Sequence, residues 1–424
     1  MLSFKTSPPI VSAFKRGKTM PTTPDIVVVG AGPCGSVSAY TAAKLNANVL
    51  VCEEHNQVGK PNHCAGHLSI SSLQKLGLNF PSEIIENKIM GAKICSPSGN
   101  QFVLRCKSPV TYVLDREKFD KHLADLAMNA GAEYRFNSRV KSLVQDSGYA
   151  KGIILGNGEK IDSKMVIDAE GCSSSVLKQS GLAGLNHSTV VRGIQAEVDS
   201  VENVEPDMVE LYLGSKVAPD FFAWIIPKSD GSAKVGLATS KGNPRLYLEK
   251  LMKNHPVASQ KLKHSTITNL AVHPIPLAGP IQKTYSNGFL AVGDAASQVK
   301  ATTGGGVVFG ATCAKIAGEV AAKAVECNDF SADFLSSYET HWKQSVDFEL
   351  KTMLQLRRML NGLSDKKTDN LIGLCNRLGV DKVLEKVGDV DFQGRSLVPM
   401  MRYPGALAVV GYFVWSWLTS HSRH

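Results

Sequence analysis

The feature that most constrains the fold of this chain is a strand, a glycine-rich turn, a helix and a second strand that follow one another near its start. An apolar strand at residues 26–29 runs into the sequence Gly-Ala-Gly-Pro-Cys-Gly at residues 30–35. Small residues typical of a helix continue to Leu45, and a second apolar strand at residues 49–52 ends at Glu53. This order predicts a right-handed crossover between parallel strands, and therefore a parallel α/β sheet.

The three glycines of the turn have separate physical roles. Gly30 permits the tight turn, Gly32 lets the backbone approach a pyrophosphate, and Gly35 lets helix and strand pack closely. Free N–H groups at the start of the helix favour a phosphate. Glu53 stands about 20 residues on, where an acid can accept hydrogen bonds from ribose hydroxyls. The unit predicts a dinucleotide site that fits NAD or FAD; the alternative is a glycine turn without a ligand.

A second piece of similar character lies far along the chain. An apolar strand at residues 288–292 ends in Gly293-Asp294, and residues 304–306, all glycine, open an Ala-rich helix. Residues 138–168 and 190–240 show short strands, one pair joined by the hairpin signal Asn157-Gly158, and residues after about 330 have helical spacing. We predict an α/β fold in which a Rossmann-type domain is split by an antiparallel sheet and followed by a helical region. The predicted units are an extension at 1–24, a nucleotide-binding domain at 25–80, 110–185 and 270–330, a substrate-binding sheet at 81–109 and 186–269, and a helical region at 331–424 with an apolar tail at 404–418.

Composition narrows the class of partner. The 424 residues carry a formal net charge of +9, spread along the chain. Zinc-ligand spacing and a basic stripe between aromatic residues are both absent from the sequence, so we expect neither a metal site nor a nucleic-acid partner. An anionic membrane surface fits a mild positive excess. The nine cysteines are odd in number and form no CxxC, which indicates reduced thiols in a cytoplasm.

The two ends of the chain leave alternatives open. Residues 1–24 contain no Asp or Glu; we expect a disordered extension, while a transit peptide or a start at Met20 fits the same composition. The apolar tail at 404–418, at about 1.5 Å per residue, is too short for a hydrocarbon core of about 30 Å. It is either a helix buried on the protein body or an interfacial anchor whose Trp and Tyr suit the headgroup zone. The second interpretation predicts a cytoplasmic protein that associates peripherally with a membrane.

Three segments decide between the two dinucleotides. The sequence Val-Gly-Asp-Ala-Ala at 292–296, with the glycines at 304–306, resembles the second flavin-binding segment of the para-hydroxybenzoate hydroxylase-like superfamily. Asp-Ala-Glu-Gly at 168–171 resembles a third segment, in which the role of Glu170 is left open. Arg116 stands where that superfamily has an arginine bordering the cofactor; the alternative is a solvated cation at a helix start. The resemblance implies FAD on a glutathione reductase-like domain.

Within that superfamily the chain most resembles the geranylgeranyl reductases, in particular the archaeal digeranylgeranylglycerophospholipid reductases. Residues 59–69 are similar to the family's G-x-P-x-x-C-(A/G)-x-x-(L/V)-S, and residues 219–228 to its P-x-x-Y-x-W-x-F-P. Phe222 replaces the Tyr, Ile226 replaces the Phe, and His67 stands where the family often has Gly. The resemblance implies flavin contacts at Gly35, Glu53, Cys64, Ala65, His67, Arg116, Val140, Asp294, Gly306 and Val307.

Cys64 carries the most open question, because a lone cysteine is often an inert buried residue. In the family this cysteine lies near the flavin ring, which makes Cys64 a catalytic candidate that places the alkene or supports its protonation. Phe222, Trp224 and Pro227 are the predicted substrate contacts, since an isoprenoid offers no polar handle and needs an apolar channel; plain strand core is the alternative.

The resemblance implies reduction of isoprenoid double bonds in a membrane lipid precursor, by hydride transfer from flavin and protonation from ordered water or Cys64. The sequence contains one dinucleotide fingerprint, so electrons would come from transiently bound NAD(P)H, from a ferredoxin or from a deazaflavin. Two other functions stay open. One is an FAD-dependent monooxygenase or epoxidase on an aromatic or terpenoid, and the other is a non-catalytic flavoprotein that binds a membrane or redox partners.

Overall fold

The computed structural model describes residues 23–421, so the prediction for the N-terminal extension lies outside the described residues except at its last two positions. The strands are β1 (Ile26–Val29), β2 (Val49–Cys52), β3 (His67–Ser69), β4 (Ile85–Ile89), β5 (Gly91–Cys95), β6 (Gln101–Arg105), β7 (Thr111–Leu114), β8 (Glu133–Arg135), β9 (Val140–Asp146), β10 (Tyr149–Leu155), β11 (Lys160–Asp162), β12 (Met165–Asp168), β13 (Val190–Val198), β14 (Met208–Tyr212), β15 (Ala223–Pro227), β16 (Ala233–Thr239), β17 (Ile267–Pro276), β18 (Tyr285–Ser286) and β19 (Phe289–Ala291). The helices are α1 (Pro33–Lys44), α2 (Ile70–Leu76), α3 (Arg116–Asn129), α4 (Pro244–Asn254), α5 (Ala258–Lys261), α6 (Val307–Cys327), α7 (Ala332–Trp342), α8 (Phe348–Asn361), α9 (Asp365–Arg377), α10 (Val380–Val387), α11 (Gln393–Met400) and α12 (Pro404–His421).

A six-stranded sheet brings the two glycine-rich pieces together. Its order is β18-β19-β12-β1-β2-β8, and all neighbours are parallel except β18 and β19. The sequence therefore predicts the β1–α1–β2 crossover correctly. Because β1, β2, β12 and β19 are parallel, their C-terminal ends lie at the same edge of the sheet.

A seven-stranded sheet follows the order β17-β13-β16-β15-β14-β5-β6 and is antiparallel except where β14 lies parallel to β5. β5 and β6 come from the segment before α3, and the other strands come from residues 190–276, so the two chain stretches share one sheet. β17 stays hydrogen-bonded to β13 as far as Pro276. The predicted domain boundary at residue 270 therefore falls inside a strand. Two three-stranded antiparallel sheets, β3-β7-β4 and β9-β10-β11, flank these two.

Helices α1 and α6 pack closely because glycines stand at their contact. A Cβ on Gly318 of α6 would lie 2.6 Å from the carbonyl oxygen of Ser38 in α1, and a Cβ on Gly310 would lie 2.5 Å from Cys34 Sγ. Both helices begin at the same edge of the six-stranded sheet. The close approach therefore sets the turn before α1 beside the turn before α6.

The C-terminal region is helical, as predicted, and packs partly on the β5–β6 hairpin. α9, α10, α11 and α12 surround Phe102, with Ile372, Val380 and Met400 in one buried cluster. Among residues 23–421 no single helix is long and apolar enough to cross a membrane, but α11 and α12, which meet at a bend of 119°, satisfy that criterion as a pair. The predicted apolar tail forms most of α12.

The helix contact predicts a stability difference between two Gly→Ala substitutions. Gly318→Ala should lower the free energy of unfolding by about 1–3 kcal/mol, because its Cβ would press on the Ser38 carbonyl. Gly373 lies inside α9 with nothing within 4 Å of its Cβ position, so Gly373→Ala should raise it by about 0.5–1 kcal/mol. Urea unfolding measures both, and equal effects of the two substitutions would contradict the close contact.

Candidate functional site

One large cavity, of about 1150 Å³, lies between the two main sheets and the C-terminal helices. Its lining combines the glycine turn before α1, the end of β2, the loop before β3, the inner face of the seven-stranded sheet, the turn before α6, and residues of α10 and α11. Of the predicted site residues, these line it: Gly30, Gly32, Glu53, Cys64, Ala65, His67, Arg116, Val140, Phe222, Trp224, Asp294, Gly306 and Val307.

The turn before α1 has the geometry that its glycines predict. Gly30 has φ +90°, and a Cβ there would lie 2.7 Å from the Ala169 carbonyl oxygen. A Cβ on Gly35 would collide with the carbonyl oxygen of Gly30, so Gly35 serves packing and is not part of the cavity lining. Gly32 borders the cavity, with nothing within 4 Å of its Cβ position. The turn therefore leaves open space where a phosphate would approach the backbone.

Glu53 is buried at the end of β2 and is held by hydrogen bonds. Its Oε2 accepts from the N–H of Ala31 at 2.8 Å, and its Oε1 accepts from the N–H of His55 at 3.0 Å. Oε1 also contacts the ring Nδ1 of His55 at 2.6 Å, so the further acceptor position is on Oε2. The side chain is thus fixed beside the glycine turn and can still accept hydrogen bonds from hydroxyl groups in the cavity.

Asp294 and the glycines before α6 form the opposite wall. Gly306 is the N-cap residue of α6, and a Cβ on it would lie 2.8 Å from Asp294 Oδ1. Asp294 also faces Cys172 and His273, and potential metal-donor atoms of these three side chains lie within 4.8 Å of one another. His63 stacks on His273 with ring centroids 3.7 Å apart. Burial, His273 and Arg116 lower the pKa of His63 to about 4.

The loop that carries Cys64 is held against α3. The N–H of Gly66 lies 3.5 Å from Cys64 Sγ, and Gly66 itself sits against the Leu114 carbonyl, where a Cβ would collide. Arg116 makes two 3.0 Å hydrogen bonds to the carboxylate of Asp120. Burial opposes its charge, but the Asp120 carboxylate raises the pKa of Arg116. Arg116 is buried and paired, so the interpretation of a solvated cation is wrong.

Glu170, whose role the sequence leaves open, stabilises the turn that follows it. Its carboxylate accepts from the backbone N–H groups of Ser175, Val176 and Leu177 at 2.8–2.9 Å. Asp168, just before it, is fully buried, and burial raises the pKa of its carboxyl well above the usual range. Glu170, which lines the cavity, therefore shapes the wall next to Asp294.

Aromatic side chains of the seven-stranded sheet form part of the cavity wall. Phe222 stacks on Phe221 with centroids 4.4 Å apart and meets the edge of Trp224 at 6.0 Å. Arg357 of α8 lies 4.4 Å above the Phe221 ring and donates to the carbonyl of Ala301 at 2.9 Å. The buried cation therefore links this wall to the turn before α6.

The prediction for Pro227 needs correction. Pro227 is buried outside the cavity lining, and its carbonyl accepts a hydrogen bond from Asn87 Nδ2 at 2.9 Å. Side chains alternate between the two faces of a strand, so with Trp224 and Ile226 on the cavity face, Pro227 points to the other face. Away from the glycine turns the cavity is mostly apolar, with Ser396 and Gln393 among apolar residues that include Ala92, Leu104, Val110, Val209, Leu211, Ile226, Leu384, Leu397 and Met400.

A buried ion pair between Lys300 and Asp391 is the feature that the sequence analysis misses. Lys300 lines the cavity beside the Gly304–Gly306 turn, and Asp391 comes from the loop before α11. Lys300 lies in the segment between Asp294 and Gly304, but its partner Asp391 is 91 residues away. No local sequence pattern connects the two residues. The pair fixes the C-terminal region to the cavity wall.

His67 lies near this pair and donates to or accepts from Thr111 Oγ1 at 2.6 Å. Burial, followed by the charge of Lys300, lowers the pKa of His67 to about 4. The folded chain therefore holds His67 neutral near pH 7.

This shift predicts a pH-dependent stability. The unfolded chain protonates His67 near pH 6.5 and the folded chain only near pH 4, so its stabilising contribution is present above pH 6.5 and is lost as the pH falls towards 4. We expect the stability advantage of wild type over His67→Gln to shrink between pH 7 and pH 4.5 in urea unfolding. A difference that stays constant over this range would contradict the assignment.

The comparisons with known proteins agree with this geometry. Residues 25–370 match the family model described as lycopene cyclase protein. Digeranylgeranylglycerophospholipid reductase of Methanocaldococcus jannaschii is 37% identical over 352 residues, which cover 82% of this chain and 89% of that protein. A geranylgeranyl bacteriochlorophyll reductase-like protein of Thermoplasma acidophilum superposes with a TM-score of 0.81 at 29% identity, over 92% of this chain and 99% of that one. A halogenase in complex with FAD, 17% identical with a TM-score of 0.68 over 94% of this chain and 91% of its own, shares the fold.

The sheets and the helical C-terminal region thus define the mixed α/β class seen in FAD-dependent reductases and halogenases. The chain belongs to the digeranylgeranylglycerophospholipid reductase family, and most of its length matches the lycopene cyclase family model.

Proposed function

We propose that this protein is an FAD-dependent reductase that saturates isoprenoid double bonds of a digeranylgeranyl membrane lipid. The observation that carries the proposal is one continuous cavity with two chemically different ends. One end offers backbone and acidic groups that suit a dinucleotide, and the other is apolar and suits a prenyl chain. The names of the archaeal relatives support the same reaction.

The residues present fit FAD at the first end. The pyrophosphate would lie at the start of α1 next to Gly32, where no side chain occupies the space. Glu53 would accept from the adenosine ribose, and Asp294 from the ribityl chain. Gly306 and Val307 would place the start of α6 at the flavin ring. When bound and reduced, FAD supplies the hydride for the reaction.

This assignment implies a division of labour between the two main sheets. The six-stranded sheet with α1, α3 and α6 would be the cofactor domain, and the seven-stranded sheet would be the substrate domain inserted into it. The seven-stranded sheet would present Phe222, Trp224 and Ile226 to the prenyl chain. Ile226 therefore replaces Pro227 among the substrate contacts. Apolar walls exclude water, so the reacting alkene meets only the groups that the protein places beside it.

Cys64 is our proposed proton-holding group at the junction of the two ends. Its Sγ is oriented by the N–H of Gly66 and lies beside the Arg116 guanidinium. We propose that this thiol gives a proton to the alkene carbon that does not receive the hydride. Alternatively, the thiol orders a water molecule that gives the proton to that carbon. NAD(P)H, a ferredoxin or a deazaflavin would reduce the cofactor, and the lipid substrate would come from a membrane surface.

The function predicts a defined product from reduced protein. We expect the FAD-loaded protein, reduced by dithionite without oxygen, to add pairs of hydrogen atoms to an unsaturated digeranylgeranyl diether lipid, each a gain of about 2 mass units per double bond by mass spectrometry. No mass gain in the lipid would contradict the proposal. Oxygen consumption coupled to NAD(P)H oxidation, with an oxygen atom added to the lipid, would favour a monooxygenase instead.

The same assay separates Cys64 from other cysteines of the cavity. Cys64→Ala should slow single-turnover reduction by about 10²–10⁴-fold if its thiol supports protonation. Cys106→Ala is the matched control, because Cys106 also lines the cavity but lies on the segment after β6, among the apolar residues. Equal rates for the two variants, with equal FAD content, would remove Cys64 from the reaction.

A further inference from the structure

Helix α11 has apolar residues both towards the cavity and towards the protein surface. Leu397 and Met400 face the cavity, whereas Val398 is 62% exposed and Met401, at its end, is 54% exposed. A helix that only covers a cavity needs one apolar side, with polar residues towards water. The exposed apolar residues beside the cavity-facing ones therefore call for a second apolar environment.

Helix α12 continues this surface. Its inner side packs through Ala406 on the cluster around Phe102 and Val383, and its outer side exposes Leu407, Val414 and Trp415 at 40–58%. The end of α12 is held in place, because Lys367 of α9 donates to the Ser416 carbonyl at 2.8 Å and to Thr419 Oγ1 at 2.9 Å. We call the exposed residues of α11 and α12 the outer apolar face, made of Val398, Met401, Leu407, Val414 and Trp415.

The cavity reaches the protein surface next to this face. Gly388 and Val390 line the cavity and are themselves exposed, and both lie in the loop that leads into α11. On the opposite side of the opening, Leu104, Cys106 and Val110 of the β6–β7 segment line the cavity and are only partly buried. A prenyl chain that enters here would pass directly from the outer apolar face into the apolar end of the cavity.

The charges near the face favour an anionic partner. Residues 392–421 contain no Asp or Glu, while Arg395 and Arg402 are exposed. A second copy of the chain, docked symmetrically through this face, would bring the two Arg402 side chains together, and residues 392–421 provide no carboxylate to separate them. Arg395 lies 3.5 Å from the buried Glu349 carboxylate, so the charge that an anionic lipid surface would neutralise is that of Arg402. The α11–α12 pair also has the length and hydropathy of a bent membrane segment.

We propose that the outer apolar face rests in an anionic lipid bilayer and that the opening between α11 and the β6–β7 segment is the port through which the prenyl lipid enters. The identity of the bound lipid rests on the proposed reductase function. It assigns the entry side, the bilayer as partner, and the residues that touch the acyl chains.

Sedimentation with vesicles tests this surface on the full FAD-loaded chain. We expect binding to vesicles of phosphatidylcholine mixed with phosphatidylglycerol, weakened by salt. The double variant Val398→Ser and Met401→Ser should bind at least about tenfold more weakly, because two exposed apolar side chains no longer enter the bilayer. The matched control is Leu246→Ser with Ile267→Ser, which removes two side chains of 54% and 45% exposure elsewhere on the surface and should bind like wild type.

Wild-type protein provides a second measurement that needs no substitution. Vesicles with brominated acyl chains should quench tryptophan fluorescence through Trp415, and absence of quenching would overturn the proposal. Equal loss of binding in the test and control variants would overturn it as well, as would a concentration-dependent dimer that masks the face and binds no vesicle. Lipid reduction in detergent separates the two claims. Reduction without vesicle binding overturns the port alone, and vesicle binding without reduction overturns the reductase function alone.

Discussion

The rest of the structure depends on how closely α1 and α6 approach each other. Gly310 and Gly318 leave room for Cys34 and for the Ser38 carbonyl, so the two helices begin side by side although their first residues are 274 positions apart, at Pro33 and Val307. The glycine turn before α1 and the Asp294–Gly306 segment then face one space. A larger residue at either contact would separate the two halves of the proposed FAD site.

From that junction the chemistry of the cavity changes along its length. Glu53, Asp294 and the backbone of two glycine turns stand at one end, and side chains such as Leu104, Ile226 and Met400 stand at the other. Cys64, Arg116 and the neutral His67 also line the cavity. This order suits a reaction between a polar cofactor and an alkene without polar groups. The polar end of the cavity would stabilise the cofactor, and the apolar end would stabilise the prenyl chain.

The sequence predicts the parts of this site that are local in the chain. The β1–α1–β2 unit and the position of Glu53 follow from spacing and glycine chemistry, and the resemblance adds Asp294, Gly306, Cys64 and Arg116 to the lining. Contacts that depend on distant packing are not predictable in this way. Lys300 and Asp391 meet only because α11 folds back onto the turn before α6, and Cys172 reaches His273 only across the two sheets. Pro227 was wrongly placed because a motif match does not reveal which face of β15 a residue occupies.

The central claim is that two distant pieces of chain hold one flavin, and an FAD titration of cofactor-free protein tests it most directly. The change in flavin fluorescence on binding should reach saturation at one FAD per chain. Gly32→Val, which fills the space for the pyrophosphate, and Asp294→Ala, which removes the acceptor on the other segment, should each weaken FAD binding by about tenfold or more. A chain that takes up no FAD, or an Asp294→Ala variant that binds FAD as tightly as wild type, would contradict the account.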